Sequence, residues 1–209
     1  MAYHTRRLGR ETTAVMPRRE DSTDEVSFID ILFAIVLGIG IEAIVTEPWL
    51  KDYHGFARLA FWTFVLAGMV VIGSWLGYHI AMRELGRGIT GRRQFFRFCI
   101  DICLLFEYAR ILKRFDDLNF VLLQIAVIYV WYLLWDLVSY GEWGGAHWVV
   151  SLVGSGLFFV LWALESQGSQ PASQARGFAI VFASIVLTIG YRLVPAHWFS
   201  EGTSNNAAS

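Results

Sequence analysis

Residues 27–46 form an apolar run, SFIDILFAIVLGIGIEAIVT, and this run sets the strongest limit on how the chain can fold. A helix of this length spans the hydrocarbon core of a bilayer. The run carries one carboxylate near each end, Asp30 and Glu42. An acid inside hydrocarbon costs a few kcal/mol unless it faces protein or water, so both carboxylates are expected to point inward. The first helix is therefore a candidate wall of a pore or of a binding site.

The composition of the chain places most of it in a membrane. Of its 209 residues, 56% are hydrophobic and 17% are charged, and the mean hydropathy is +0.48. Nine Trp and eight Tyr suit the interfacial belts of a membrane protein. A net charge of -1 argues against nucleic acid as a partner. Cys99 and Cys103 are expected to pack in a helix rather than bind a metal, and no cofactor is expected.

Further apolar segments follow at residues 59–82, 95–112, 118–139, 148–164 and 177–194. The sequence thus predicts an all-α, polytopic membrane bundle of six transmembrane helices, in which short connections place neighbours antiparallel. Three parts are expected along the chain, namely a polar cytoplasmic arm at 1–26, a transmembrane helical domain at 27–195 and a flexible tail at 196–209.

The third segment is the weakest of the six, and the charge distribution leaves its placement open. The arginine-rich connection at 83–93 favours a cytoplasmic N-terminus. Six crossings then place the basic residues at 110–114 outside, against the same rule. Five crossings, with residues 95–112 interfacial or re-entrant, satisfy the rule better. If the segment crosses, its charges are expected to pair, Arg97 with Asp101 and Glu107 with Arg110.

Small residues mark expected contacts between helices. Gly73 and Gly77 form a small-xxx-small pair in the second span, and Ser151, Gly154 and Ser155 lie together in the fifth. Such residues let helix backbones approach closely. Packing within one subunit and packing between subunits both fit this pattern.

Two short motifs connect the first and second spans to a known family. Phe28-Ile29-Asp30 is followed by Phe33-Ala34-Ile35, and in the second span Trp75 lies one helical turn before His79. This combination resembles the transmembrane protein 175 family of potassium channels, whose pore helix carries Arg-xxx-Phe-Ser-Asp and then Phe-Ala-Ile. That family also closes its second helix with a Trp and a His pair. The signature arginine, the serine and a later threonine of the family are replaced here, by Asp24, Ile29 and Gly38.

The resemblance implies a homo-oligomer, a tetramer in that family, whose first helices surround a pore for potassium or other monovalent cations. By position, Ile35 is then the hydrophobic gate, Ile39 follows it, and Glu42 lies toward the far mouth. Apolar rings gate by dewetting, and a ring of carboxylates concentrates cations at an entrance. The alternative is that both isoleucines simply face lipid or the core.

The resemblance also implies a polar network at the start of the first helix. Asp30, which follows Phe28 in the motif, is expected to accept hydrogen bonds from the Trp75 indole and the His79 imidazole. A purely structural role for this cluster is the alternative.

Two other functions fit the residues. A proton-coupled transporter is favoured by the intramembrane ionisable side chains, although no broken helix pair or inverted repeat accompanies them. These side chains are Asp30, Glu42, His79, Asp101, Glu107, Asp136 and Arg192. A non-conducting membrane effector or subunit is indicated by the basic segment 83–97, which can meet anionic lipid or a cytoplasmic partner. No enzyme is expected, because the chain has no HExxH, P-loop or dinucleotide fingerprint. Each of these readings places the chain in the cell membrane as a multi-pass protein with a cytoplasmic N-terminus.

Overall fold

The computed structural model describes residues 21–47, 58–85, 92–140, 146–166 and 174–205, and within these ranges the chain forms six α-helices and no strand. The helices are α1 (Asp21–Thr46), α2 (Leu59–Leu85), α3 (Arg92–Lys113), α4 (Leu118–Tyr140), α5 (Ala146–Ser166) and α6 (Gln174–Asn205). Five of them, all except α3, are long and apolar enough to cross a membrane. The predicted all-helical membrane bundle is therefore confirmed.

The apolar stretches of these five helices agree with the predicted spans. They are Phe28–Thr46, Leu59–Met82, Leu118–Ser139, Trp148–Ser166 and Gln174–Tyr191. The helices themselves are longer, because α1 begins at Asp21, ahead of the apolar run, and α6 continues to Asn205. Residues 1–20 and 206–209, which belong to the expected arm and the expected tail, lie outside the described residues.

Helix α3 runs alongside α1 in the same direction. Near the start of α1, the Phe28 ring packs against Phe98 with centroids 5.8 Å apart. Near its end, Gly40 lies against the side chain of Leu112. Contacts at both ends show that α3 follows the axis of α1 over most of its apolar stretch. The low hydropathy of α3 arises from charged side chains such as Arg97 and Asp101, which are buried in the bundle rather than exposed.

Helix α4 returns antiparallel to α3 after the turn at residues 114–117. Asp101, in the first half of α3, accepts a hydrogen bond from the indole of Trp135, in the last part of α4. Tyr108 and Tyr132, which are closer together along the chain, form a second contact between the two helices. The pair therefore forms a helical hairpin that lies along the same axis as α1.

The apolar core lies where α2, α3 and α4 meet. Its fully buried aliphatic side chains are Leu66, Val71, Ile111, Val121, Leu122, Ile125 and Ile128. Helix α1 joins this core through one face only, because Ile29, Phe33 and Val36 are buried and recur at the spacing of one helical stripe. The opposite face of α1 is consequently left exposed by the described part of its own subunit.

Helix α5 packs against α4 through small residues. A Cβ atom added at Gly154 would lie 2.8 Å from the Tyr129 ring, and the Ser155 hydroxyl donates a hydrogen bond to the Ala126 carbonyl oxygen at 3.2 Å. The cluster of small residues predicted in the fifth span thus marks a real helix contact. That contact lies within one subunit.

Candidate functional site on helix α1

The exposed face of α1 carries a line of residues that we call the α1 stripe: Ile31, Ile35, Gly38 and Glu42. Successive members are three or four positions apart, so they lie along one side of the helix. Ile31 and Ile35 are 60% and 57% exposed, and a Cβ atom added at Gly38 would meet no atom within 4 Å. The stripe is therefore largely uncovered by the described residues of its own subunit, and it has no side chain at Gly38.

The two predicted gate residues have different surroundings. Ile35 belongs to the α1 stripe, whereas Ile39 is half-buried and packs against the core cluster. The reason is the position of the buried face, since Val36 and Gly40 are buried and Gly40 lies against Leu112 of α3. Ile39 lies at the edge of that face. Any path along the stripe is lined by Ile35 in full and by Ile39 only at its edge.

Glu42 lies on the same exposed side, one turn before the end of α1. Among the described residues its carboxylate has no hydrogen-bond donor and no ion-pair partner. Asp30 is turned toward α2, whereas Glu42 faces away from its own subunit, because the face of α1 that packs on α3 is the opposite one. A carboxylate held outward on an apolar helix needs water or a second protein surface beside it.

Asp30 has the inward environment that Glu42 lacks. Its Oδ1 atom accepts a hydrogen bond from the Trp75 indole N–H at 3.1 Å and lies 2.8 Å from Nε2 of His79. The two rings meet edge to face with centroids 5.0 Å apart. The contacts that the resemblance implied for these three side chains are present, and they fasten the start of α1 to the end of α2. Phe28 lies nearby; its side chain is half exposed, and its ring packs against Phe98 of α3.

The network around Asp30 is only partly shielded. The side chain of Asp30 is 40% exposed and that of His79 is 26% exposed. Both donors use the same oxygen, so Oδ2 has no partner among the described side chains. When the Nε2 atom carries the proton, His79 donates to Asp30, and Oδ1 then accepts from two donors on α2.

Polar contacts also join the other helices, and the sequence did not predict them. Ser74 donates to the Val70 carbonyl oxygen at 2.5 Å, so its oxygen accepts from the Tyr132 hydroxyl, which in turn accepts from Tyr108 at 2.9 Å. This chain of hydroxyl groups ties α3 and α4 to α2. Tyrosine and serine side chains in otherwise apolar helices indicate that such hydrogen bonds can form. Their partners cannot be predicted from the sequence, because they depend on how each helix is rotated about its axis.

A second such chain joins the last three helices. The Ser151 hydroxyl on α5 contacts the carboxylate of Asp136 on α4 and lies 3.1 Å from the hydroxyl of Tyr191 on α6. Tyr191 also packs edge to face on Tyr129, with centroids 4.7 Å apart. Asp136 is therefore held by a neighbouring helix rather than directed toward the α1 stripe.

The ionic residues of α3 are accommodated inside the bundle or at its end. Arg97 and Asp101 are each only 4% exposed and lie one turn apart. The expected pair of Glu107 and Arg110 is present, with an Nη1 to Oε2 distance of 3.1 Å. No group of three or more His, Cys, Asp or Glu side chains in the described parts of the chain is arranged to hold a metal ion.

Comparison with known proteins adds no relative. No family model matches the chain, and neither the curated proteins nor the solved structures contain a match. The class is defined by the structure itself, which is that of an all-helical, multi-pass membrane protein.

Proposed function

We propose that the protein is a cation channel in which the α1 helices of several subunits surround the conducting path. The α1 stripe is the single observation that carries this proposal. It places an exposed Glu42 carboxylate on the same side as Ile35, on a helix that otherwise suits lipid. Facing hydrocarbon, that carboxylate costs a few kcal/mol, and a water-filled path shared by several copies removes this cost.

The residues of the stripe have distinct roles in such a path. Ile31 and Ile35 form apolar rings that close the path by excluding water, and Glu42 forms a ring of negative charge that concentrates cations at the mouth. Gly38 lies between them and lets the helices approach closely. Potassium is the expected ion and a tetramer the expected assembly, both by resemblance to the transmembrane protein 175 family.

The network of Asp30, Trp75 and His79 supports this arrangement as a positioning device. It holds the start of α1 against α2, while Phe33, which packs on Tyr108, and Gly40, which lies against Leu112, hold α1 against α3. With two attachments, the rotation of α1 about its own axis is defined. The stripe then faces away from its own subunit, toward the place that neighbouring copies occupy.

The same packing supports six crossings. In this proposal α3, which lies along α1 from Phe98 to Leu112, crosses the membrane beside α1 despite its charges. The starts of α1 and α3 then share one side, and the arginine-rich segment at 83–93 leads into that side. By the positive-inside rule this side is cytoplasmic, so the N-terminus lies in the cytoplasm and the protein lies in the cell membrane.

The test is ion flux into liposomes that contain the purified protein. We expect potassium flux that exceeds chloride flux, and a severalfold lower preference for cations in Glu42→Gln, because the ring charge is lost. Asp116→Asn is the matched control, since it removes an exposed carboxylate from the turn after α3, at the same end of the bundle. Equal effects of the two substitutions, or no flux from the wild-type protein, would refute the proposal.

A proton-coupled transporter is the alternative, and one observation favours it. Asp136 lies inside the bundle with Ser151 and Tyr191, as an intramembrane carboxylate in a chain of hydroxyl groups. The same liposomes distinguish the two functions. Solute uptake that depends on a proton gradient and is lost in Asp136→Asn, without passive potassium flux, would favour the transporter. Absence of any flux, together with a co-purifying protein, would favour a non-conducting subunit.

A further inference from the structure

The start of α3 combines exposed cations with exposed aromatic rings. Arg92 and Arg93 are exposed, and Phe95 and Phe96 are 64% and 58% exposed. Arg92 lies three and four positions before the two phenylalanines, so these three side chains share one face of the helix. The next arginine, Arg97, turns inward and is buried. We call the four exposed residues the α3 entry patch.

The packing of α3 on α1 gives the depth of this patch. Phe98 is level with Phe28, which begins the apolar stretch of α1. At 1.5 Å per residue, Arg92 and Arg93 lie about 8 Å further out along the axis. The polar headgroup layer occupies about that distance beyond the hydrocarbon core. The arginines are therefore at the level of lipid phosphates, and Phe95 and Phe96 lie at the boundary with the acyl chains.

The charge of the patch is not neutralised by the described residues around it. The first turn of α3 contains no acidic residue, and neither Arg92 nor Arg93 forms an ion pair with a described side chain. Two cations at the positive end of a helix dipole also disfavour the helix. A bound anion would offset that penalty. By contrast, Arg110 and Arg114 at the other end of α3 pair with Glu107 and Asp117.

We infer that the α3 entry patch binds an anionic phospholipid, with the lipid phosphate on Arg92 and Arg93 and an acyl chain against Phe95 and Phe96. Guanidinium groups match phosphate geometry with paired hydrogen bonds. The cytoplasmic leaflet, where the arginine-rich side of the chain is expected, is the leaflet that carries anionic lipid. This binding does not require that the protein conducts ions, so the inference stands apart from the proposed function.

The experiment measures energy transfer from the protein's tryptophans to pyrene-labelled lipid added to the purified full-length chain in detergent micelles. Phosphatidylglycerol and phosphatidylcholine with the same acyl chains are the two probes. We expect the wild type to prefer phosphatidylglycerol. The double variant Arg92→Gln/Arg93→Gln is expected to lower its affinity for phosphatidylglycerol about tenfold or more, since each cation near the surface contributes. Its affinity for phosphatidylcholine should change little.

Three controls make the result specific. Lys113→Gln removes an exposed cation from the opposite end of the same helix and should leave the preference within about twofold of wild type. Phe95→Ala should weaken both lipids alike, because it removes apolar contact rather than charge. Added inorganic phosphate should not displace the lipid, because it lacks the acyl chain. Displacement by phosphate would overturn the lipid assignment.

Other outcomes also decide the matter. Equal binding of the two lipids by the wild type would overturn the inference, as would a retained preference in the double variant or an equal loss in Lys113→Gln. If the double variant does not purify as a folded helical protein, Arg92→Gln alone carries the test. It should weaken phosphatidylglycerol binding about fivefold, and an unchanged affinity would overturn the inference.

Discussion

Replacement of Gly154 by alanine tests the packing of α5 on α4. The added Cβ atom would lie 2.8 Å from the Tyr129 ring, which must move roughly 0.6 Å to restore an ordinary contact. The ring has little room to move. It is buried, it stacks on Phe158 at 5.5 Å, and it meets Tyr132 and Tyr191 edge to face at 5.6 and 4.7 Å. We therefore expect the clash to be relieved only by separation of the helices.

The magnitude follows from two opposing effects. Overpacking of a filled site costs about 1–3 kcal/mol. Alanine also favours a helix over glycine by about 1 kcal/mol. Gly156 is on the same helix as Gly154, and a Cβ atom added there would meet no atom from another described part of the chain within 4 Å. Gly156→Ala therefore isolates this second effect. The difference between the two variants therefore measures the clash alone, and it should be about 1–3 kcal/mol in favour of Gly156→Ala.

The assay is thermal unfolding of the purified protein in detergent, followed by circular dichroism. In a chain of this length each kcal/mol shifts the midpoint by about 2–4 °C. Gly154→Ala should melt several degrees below Gly156→Ala. Tyr129→Leu has a smaller side chain, so in combination with Gly154→Ala it should relieve the clash. A double-mutant cycle should then show that Gly154→Ala costs less stability in the Tyr129→Leu background than in the wild type. Equal midpoints for the two alanine variants would show that α5 does not pack on Tyr129 as described.

Two further predictions concern α1. Gly38→Leu should leave the melting midpoint close to that of wild type, because the added Cβ would meet no atom from another described part of the subunit within 4 Å. It should nevertheless reduce ion flux or oligomer size by filling the α1 stripe, and unchanged flux and assembly would place the stripe in lipid. His79→Ala should destabilise the protein by about 1–3 kcal/mol through loss of the hydrogen bond to Asp30, measured by the same thermal assay. His79→Gln keeps a hydrogen-bond donor and should recover part of that loss. Equal melting midpoints for His79→Ala and His79→Gln would contradict the role given to the hydrogen bond.

Much of the fold was predictable because apolar runs of sufficient length have few alternatives to helices. Backbone polar groups in a bilayer must be satisfied within the segment, so each run predicts one helix. The helix at 95–112 was harder to place, because hydropathy counts Arg97 and Asp101 as if they faced lipid. In the structure they are buried, and α3 lies beside α1. Mean hydropathy depends only on composition, so it does not show in which direction a side chain points.

The candidate site was predictable only where a motif linked two helices. The pairing of Asp30 with Trp75 and His79 was expected from the resemblance and is present. The rotation of α1 that turns Glu42 away from its own subunit could not be worked out from periodicity, because it is set by which face of α1 fits α3. The hydroxyl contact between Tyr108 and Tyr132 escaped prediction for the same reason. Periodicity defines the faces of a helix but not the neighbour that each face meets.

The buried charges of α3 have a consequence for biogenesis. Arginine and aspartate oppose the insertion of a membrane helix, each by up to about 2.5–3.5 kcal/mol when the residue lies at the helix centre, so a nascent α3 enters lipid poorly by itself. Its partner arrives soon afterwards, because α4 follows after a short turn and brings the Trp135 indole to Asp101. We expect the translocon to retain α3 until α4 has been synthesised, so that the two enter the bilayer as a single hairpin.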